Sequence, residues 1–214
     1  LIFETFSLSN DKIQFKMNIE FKISKKPLLY EGAIRFLEKK VEKVKNGGKD
    51  FIWILEHPTT YTAGIRYSKD EVIDKKISIK KTNRGGKITL HNPGQKIVYF
   101  AINLNKRKKN IRNLVKQIEN IIIEFLKLYG IKSNADRKNI GIWVNNKKIA
   151  AIGIRVSRWV AYHGFSININ NNLEEYKKII PCGLDNKKIT SIKNEGKNFK
   201  KIDENLKRTI LKYI

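Results

Sequence analysis

The chain has 214 residues and a mass of 25.0 kDa, with 45 Lys and Arg against 20 Asp and Glu, a formal net charge of +25 and a hydrophobic fraction of 41%. That length and apolar content are enough for a folded core of one domain, which excludes a disordered basic tail. A lone cysteine, Cys182, excludes a disulfide scaffold, and no apolar run approaches the ~20 residues of a membrane-spanning helix.

A pI near 10.0 is the electrostatic footprint of a nucleic-acid binder. The composition argues for another origin. Lys (36), Ile (34) and Asn (22) make up 92 of the 214 residues, and all three have A- and T-rich codons. The lysines are spread along the whole chain and only 9 residues are Arg, the side chain that suits bidentate phosphate and base contacts. Genome composition therefore accounts for most of the charge.

Residues 1–16 lack the basic start and continuous apolar stretch of a signal peptide. With Met17 the only methionine, 1–16 reads as an upstream or disordered extension, 17–214 as a single domain, and the protein as cytoplasmic. From Leu28 to Asn46 apolar residues recur at helical spacing, with Gly47-Gly48 as a stop. Phe51–Leu55 reads as a buried strand that ends at Glu56-His57-Pro58. Residues 66–83 are charged and irregular, and Arg84-Gly85-Gly86 signals a loop. Lys96–Leu104 is a further strand, and Asn110–Tyr129 the longest helix. Ile140–Val144 and Ile149–Val156 form strands joined by a turn over Asn145-Asn146-Lys147-Lys148. Trp159–Ile169 is a strand, Leu173–Ile179 a short helix, Pro181-Cys182-Gly183 a tight segment, and a charged helix from about Asp203 closes the chain. Strands and helices mix without strict alternation. The fold class is α/β of the α+β type, with a mixed or largely antiparallel sheet and flanking helices.

GxxxxGK[ST] and GxGxxG are absent, since Gly85-Gly86-Lys87 is followed by Ile88. His57, His91 and His163 are too far apart in sequence for a local metal motif, so no metal or cofactor is expected. What stands out is a concentration of small residues at 56–64, 84–95, 148–153, 163–165 and 181–183. Gly and Ala let backbone approach a ligand closely, as an apolar chain threaded past Gly85, Gly86, Ala151, Gly153 and Gly164 would require. Cys182 is the natural nucleophile candidate if a nearby cation brings its thiol pKa, ~8.5 when free, toward neutrality. Lys148 could supply that charge, although on its own it reads as a solvated turn lysine.

Together EHPTTYTAG (56–64), RGGKITLHNPGQ (84–95), KKIAAIGIRVSRWVAYHGFSINI (147–169) and PCGL (181–184), in this order and spacing, resemble the lipoyl(octanoyl) transferase family, also called the lipoate–protein ligase B family. The resemblance covers roughly residues 30–190. It implies the catalytic fold shared by biotin and lipoate protein ligases. It implies an acyltransferase that moves an octanoyl group from octanoyl–acyl carrier protein to a lysine of lipoyl domains. Those acceptors belong to 2-oxoacid dehydrogenase complexes and the glycine cleavage H protein. The family's cysteine–lysine dyad falls on Cys182 and Lys148. Its acyl-pocket segments fall on Arg84, Gly85, Gly86, Lys87, Ile88, Thr89, Leu90 and His91, on Ala151, Ile152 and Gly153, and on Gly164, Phe165 and Ser166. Thioester exchange followed by aminolysis needs neither ATP nor metal. Backbone N–H groups near Cys182 and Gly183 would meet the oxyanion, and His91 and His163 would organise the pocket by hydrogen bonds. The alternatives are an ATP-dependent lipoate or biotin ligase, or a lipoyl amidotransferase, of the same fold. Outside that class stands a basic nucleic-acid-binding protein. Specific nucleic-acid or membrane partners are not expected.

Overall fold

The computed structural model describes residues 19–136, 138–181 and 189–214. The predicted 1–16 extension, Cys182 and Gly183 lie outside the described residues. Strand β1 (Ile19–Ile23) leads to helix α1 (Tyr30–Lys45), which buries Ala33, Leu37, Val41 and Val44 on one stripe and turns out at Gly47. Strand β2 (Asp50–Leu55) follows, and β6 (Gln95–Asn103) pairs with it in antiparallel fashion. Helix α2 (Ile111–Lys127) is capped by the Asn110 side chain, which accepts from the Asn113 N–H. Strands β7 (Asn134–Ala135), β8 (Ile142–Val144), β9 (Lys147–Ser157) and β10 (Val160–Asn168) come next, and helix α3 (Ile202–Tyr213) closes the chain.

The seven strands form one sheet in the order β1-β2-β6-β10-β9-β8-β7, antiparallel except for β1 on β2. Period-2 alternation sends its side chains to two different cores. Phe51, Trp53, Leu55, Ile97 and Ala101 meet α1. Ile52, Ile54, Val98, Phe100 and Ile102 meet α2 and α3 through Leu114, Ile118, Phe125, Leu206 and Ile210. The expected mixed sheet with flanking helices is what the chain forms.

Local details differ from the sequence reading. Residues 66–83 are not all irregular, since they contain β4 (Ile79–Lys81), which with β3 (Thr60–Ala63) and β5 (Ile88–His91), on stretches to which the sequence reading assigns no element, builds a second, three-stranded sheet in the order β4-β3-β5. These strands are three or four residues long, too short to show a clear alternation, and their pairing is non-local. The β8–β9 turn is Asn145-Asn146 alone, both with positive φ (46° and 63°), so Lys147 and Lys148 belong to β9. The predicted short helix at 173–179 is a 3-10 turn over Glu174–Lys178.

Phe125 is fully buried at the centre of the α2–α3 core. Phe125→Ala should lower unfolding free energy by about 3–5 kcal/mol, measured by urea denaturation. A loss under about 1 kcal/mol would mean that this core does not hold the helices on the sheet.

Candidate active site

A cavity opens on the α1 face of the large sheet. Its floor is a row of small residues on the two neighbouring strands β9 and β10. Gly164 pairs with Gly153 and with Tyr99, and Ser166 with Ala151 and with Ile97. Its roof is β5 and the loop before it. Alternation along β5 turns Thr89 and His91 to the cavity, while Ile88 and Leu90 pack with Tyr61, Tyr176 and Ile179 in a separate apolar cluster. Of the fourteen predicted acyl-pocket positions, Ile88 and Leu90 therefore fall behind the wall. The other twelve, Arg84, Gly85, Gly86, Lys87, Thr89, His91, Ala151, Ile152, Gly153, Gly164, Phe165 and Ser166, all line it. The space among its lining atoms is about 530 Å³, open solvent at the mouth included.

The loop is held down by close backbone contact. A Cβ on Gly85 would stand 2.8 Å from the Ile154 carbonyl oxygen, so only glycine can sit there. Arg84 folds the loop on itself: its guanidinium donates to the carbonyls of Gly85 (3.0 Å), Lys87 (2.8 Å) and Thr62 (2.7 Å). Lys87 is paired with the buried Glu71 at 2.7 Å. Arg155 donates to the Asn83 carbonyl (2.9 Å), and the His163 Nε2–H donates to Asn83 Oδ1 (2.6 Å).

His163 breaks the alternation of its strand. Its neighbours of the same parity, Ala161 and Phe165, face the α2–α3 core. A φ of +66° turns His163 to the other face, where its ring stacks on Tyr162 at 4.9 Å. A non-glycine residue in this region is strained, and the strain is held at the site.

All three histidines, remote in sequence, meet around Tyr99. His91 donates from Nδ1 to Gln95 Oε1 (2.8 Å), and Gln95 in turn donates to Asn168 Oδ1 (2.9 Å). His57 donates from Nδ1 to the Leu28 carbonyl (2.6 Å), leaving Nε2 to accept from the Tyr99 hydroxyl (2.9 Å). Burial, aided by neighbouring cationic and histidine groups, holds His91 and His163 down to about 3, and burial also lowers His57. All three rings are neutral near pH 7, in the hydrogen-bonding role expected for His91 and His163. No group of three metal-ligating side chains is present among the described residues.

Lys148 is buried, at 5% exposure, in β9 and not in a turn. Its Nζ donates to the Ile140 carbonyl (2.9 Å) and lies 5.6 Å from the centre of the Trp143 ring. Gly141 makes room for it, since a Cβ there would lie 2.4 Å from Lys148 Cε. Lys148 lines a smaller hollow that shares Thr89, Ala151 and Ser166 with the main cavity. Pro181 and Ile189, on either side of residues 182–188, line the same hollow. Sequence reading missed Tyr30, Ile97 and Tyr99, which also line the cavity and looked like ordinary core positions of a helix and a strand.

The buried neutral histidines set a pH dependence. Unfolded, they bind protons below pH ~6.5, whereas folded His91 and His163 stay unprotonated down to about 3. Their contribution is present above pH ~6.5 and is lost as pH falls, by about 1.4 kcal/mol per pH unit for each ring in the window between. Urea unfolding at pH 6.5, 6.0, 5.5 and 5.0 should show stability falling across the series. A flat profile would mean that the rings are solvated.

No helix among the described residues is long and apolar enough to cross a membrane. The curated relatives include an octanoyltransferase of Wolbachia sp. subsp. Brugia malayi, 42% identical over 202 residues that cover 91% of this chain and 98% of the relative. Another, from Ehrlichia chaffeensis, is 44% identical over 188 residues, 85% of this chain and 88% of the relative. Among solved structures, a lipoate-protein ligase A bound with ATP superposes with a TM-score of 0.75 at 12% identity, covering 92% of this chain and 85% of that one. An archaeal bi-partite lipoate protein ligase from Thermoplasma acidophilum gives 0.71 at 11%, covering 91% and 82%. At such identities these two establish the shared fold alone. Residues 30–213 match the lipoyl protein ligase A/B catalytic domain, and with relatives at this level of identity over most of its length the chain belongs to that family.

Proposed function

We propose that the protein is an octanoyltransferase of protein lipoylation, carrying the acyl group on Cys182 between a thioester donor and a lysine of a lipoyl domain. Its octanoyltransferase relatives support the reaction class. One observation carries the assignment of residues: Pro181 and Ile189 both border the hollow of Lys148, and the Thr190 N–H donates to the Lys148 carbonyl (2.9 Å). Residues 181 and 189, which flank the stretch containing Cys182, thus lie beside Lys148, the one lysine among the described residues that lines that hollow. Cys182 is the residue next to Pro181 in the chain.

The chemistry is a two-step exchange. The Lys148 ammonium favours the Cys182 thiolate, which attacks the donor's thioester carbonyl. The C–S bond to the donor breaks and its sulfur leaves as a thiol, taking a proton from Lys148. The acceptor lysine arrives as an ammonium and passes one proton to the now neutral Lys148. Its nitrogen attacks the acyl-enzyme, an amide forms, Cys182 leaves as thiolate, and the second proton passes to solvent. The donor we assign is octanoyl–acyl carrier protein. The acceptors are lipoyl domains, including those of 2-oxoacid dehydrogenase complexes and the glycine cleavage H protein. The cytoplasm, where the thiol stays reduced, is the compartment this chemistry suits. The cavity of Gly85, Ala151, Gly153, Gly164 and Ser166 would hold the acyl chain away from water.

Intact mass after incubation with octanoyl–acyl carrier protein should show one added octanoyl group, absent in Cys182→Ser. Lys148→Arg keeps the charge but gives up its proton far less readily. It should slow turnover by about 10²–10⁴-fold, with aminolysis hit harder than acylation. Transfer by Cys182→Ser at the parental rate would refute the nucleophile, and release of AMP from ATP with free octanoate would favour the ligase alternative.

A further inference from the structure

The cavity has a direction and an end. Lys148 touches only the smaller hollow, and Tyr30, Ile97 and Tyr99 touch only the larger one, so the passage runs from Lys148 past Thr89, Ala151 and Ser166. Beside Gly153 the loop comes down on β9, where a Cβ at Gly85 would stand 2.8 Å from the Ile154 oxygen. The space left open lies over Gly164, toward β6. Gly164 cannot carry a side chain, since a Cβ would meet the Val98 oxygen at 1.9 Å. Beyond Gly164, its register partner Tyr99 rises from the sheet. From Lys148 to Tyr99 the path covers five residues along the strands, about 16 Å, and two strand spacings across them, about 10 Å. Two long side chains occupy the ends of that diagonal.

Tyr99 is fixed in place. It is 5% exposed, and its hydroxyl donates to His57 Nε2 at 2.9 Å, while His57, wholly buried, is anchored through Nδ1 to the Leu28 carbonyl at 2.6 Å. The rings of Tyr30 and His91 pack around His57 at 5.2 and 5.9 Å. The hydroxyl faces His57, so the ring presents a carbon surface and not a polar group to the end of an acyl chain.

We propose that Tyr99, held by His57, is the stop that sets the length of acyl chain the cavity accepts. The inference rests on the octanoyl-transfer reading and extends it to specificity. His57 accepts the hydroxyl's bond and does not line the cavity; the packed ring itself is what stops the chain. Shortening Tyr99 opens space in line with the chain, so longer chains gain and the natural length does not. Tyr99→Phe removes the bond to His57 but leaves the ring where it is packed.

The experiment presents six-, eight-, ten- and twelve-carbon acyl thioesters of one carrier protein in competition, and reads the acyl-enzyme by intact mass. The parent should prefer eight carbons. Tyr99→Ala and Tyr99→Leu, the second of which keeps the site apolar, should each raise the ratio of twelve to eight carbons by about tenfold or more. Tyr99→Phe should leave it within about twofold. A parent that loads octanoyl but does not discriminate among lengths, or a folded Tyr99→Leu with the parental ratio, overturns the stop and leaves the transferase reading intact. A parent that loads no chain of any length overturns both.

Discussion

Two stretches of backbone touch with no side chain between them: the loop at Gly85 lies against β9 at Gly153 and Ile154. Everything else about the site follows from that contact. It places the small sheet as a roof over the large one, with the cavity reaching from β9 across β10 to β6. Such an approach is available only where both partners lack Cβ bulk or point it away. The contact is secured from several directions by Arg84 to its own loop and to Thr62, by Lys87 to Glu71, and by Asn83 to His163 and Arg155. These groups come from five separate segments, so the loop is over-determined.

The polar residues of the site divide into two kinds. Arg84, His57, His91, His163 and Gln95 are buried and spend their hydrogen bonds on the protein itself, which fixes the walls. With the histidines neutral, the walls carry little charge that an apolar chain would have to displace. Lys148 is of the other kind. It is a buried lysine held by a carbonyl and an aromatic face, in the hollow that Pro181 and Ile189 also line. A buried lysine costs desolvation, and in the proposed mechanism that cost is tied to its exchange of protons during acyl transfer.

The surface charge of +25 plays a different part from the one first suggested by its size. The ion pairs among the described residues are mostly at the surface or half-buried, and those contribute little to stability. The cavity is lined mostly by uncharged residues, and Lys148 is one lysine of 36.

Periodicity alone determined the long elements. The helices at 30–45 and 111–127 and the strands at 50–55, 95–103 and 160–168 are long enough for a burial pattern to repeat, so these elements could be read from the order of residues, while their division into two cores could not. The motif segments determined the family and nearly all the cavity lining. Tertiary structure decided what depends on contacts between remote segments. It formed the small sheet from strands of three or four residues. It put Ile88 and Leu90 on the far side of β5 from Thr89 and His91. It turned His163 against the alternation of its strand through a positive φ that no local signal announces. It made Lys148 a buried strand residue because Gly141, seven positions earlier, leaves space for its stem. Tyr99 belongs with these. In sequence it is one more aromatic in a strand, and only the meeting of β6, β10 and the His57 corner makes it the end of a cavity.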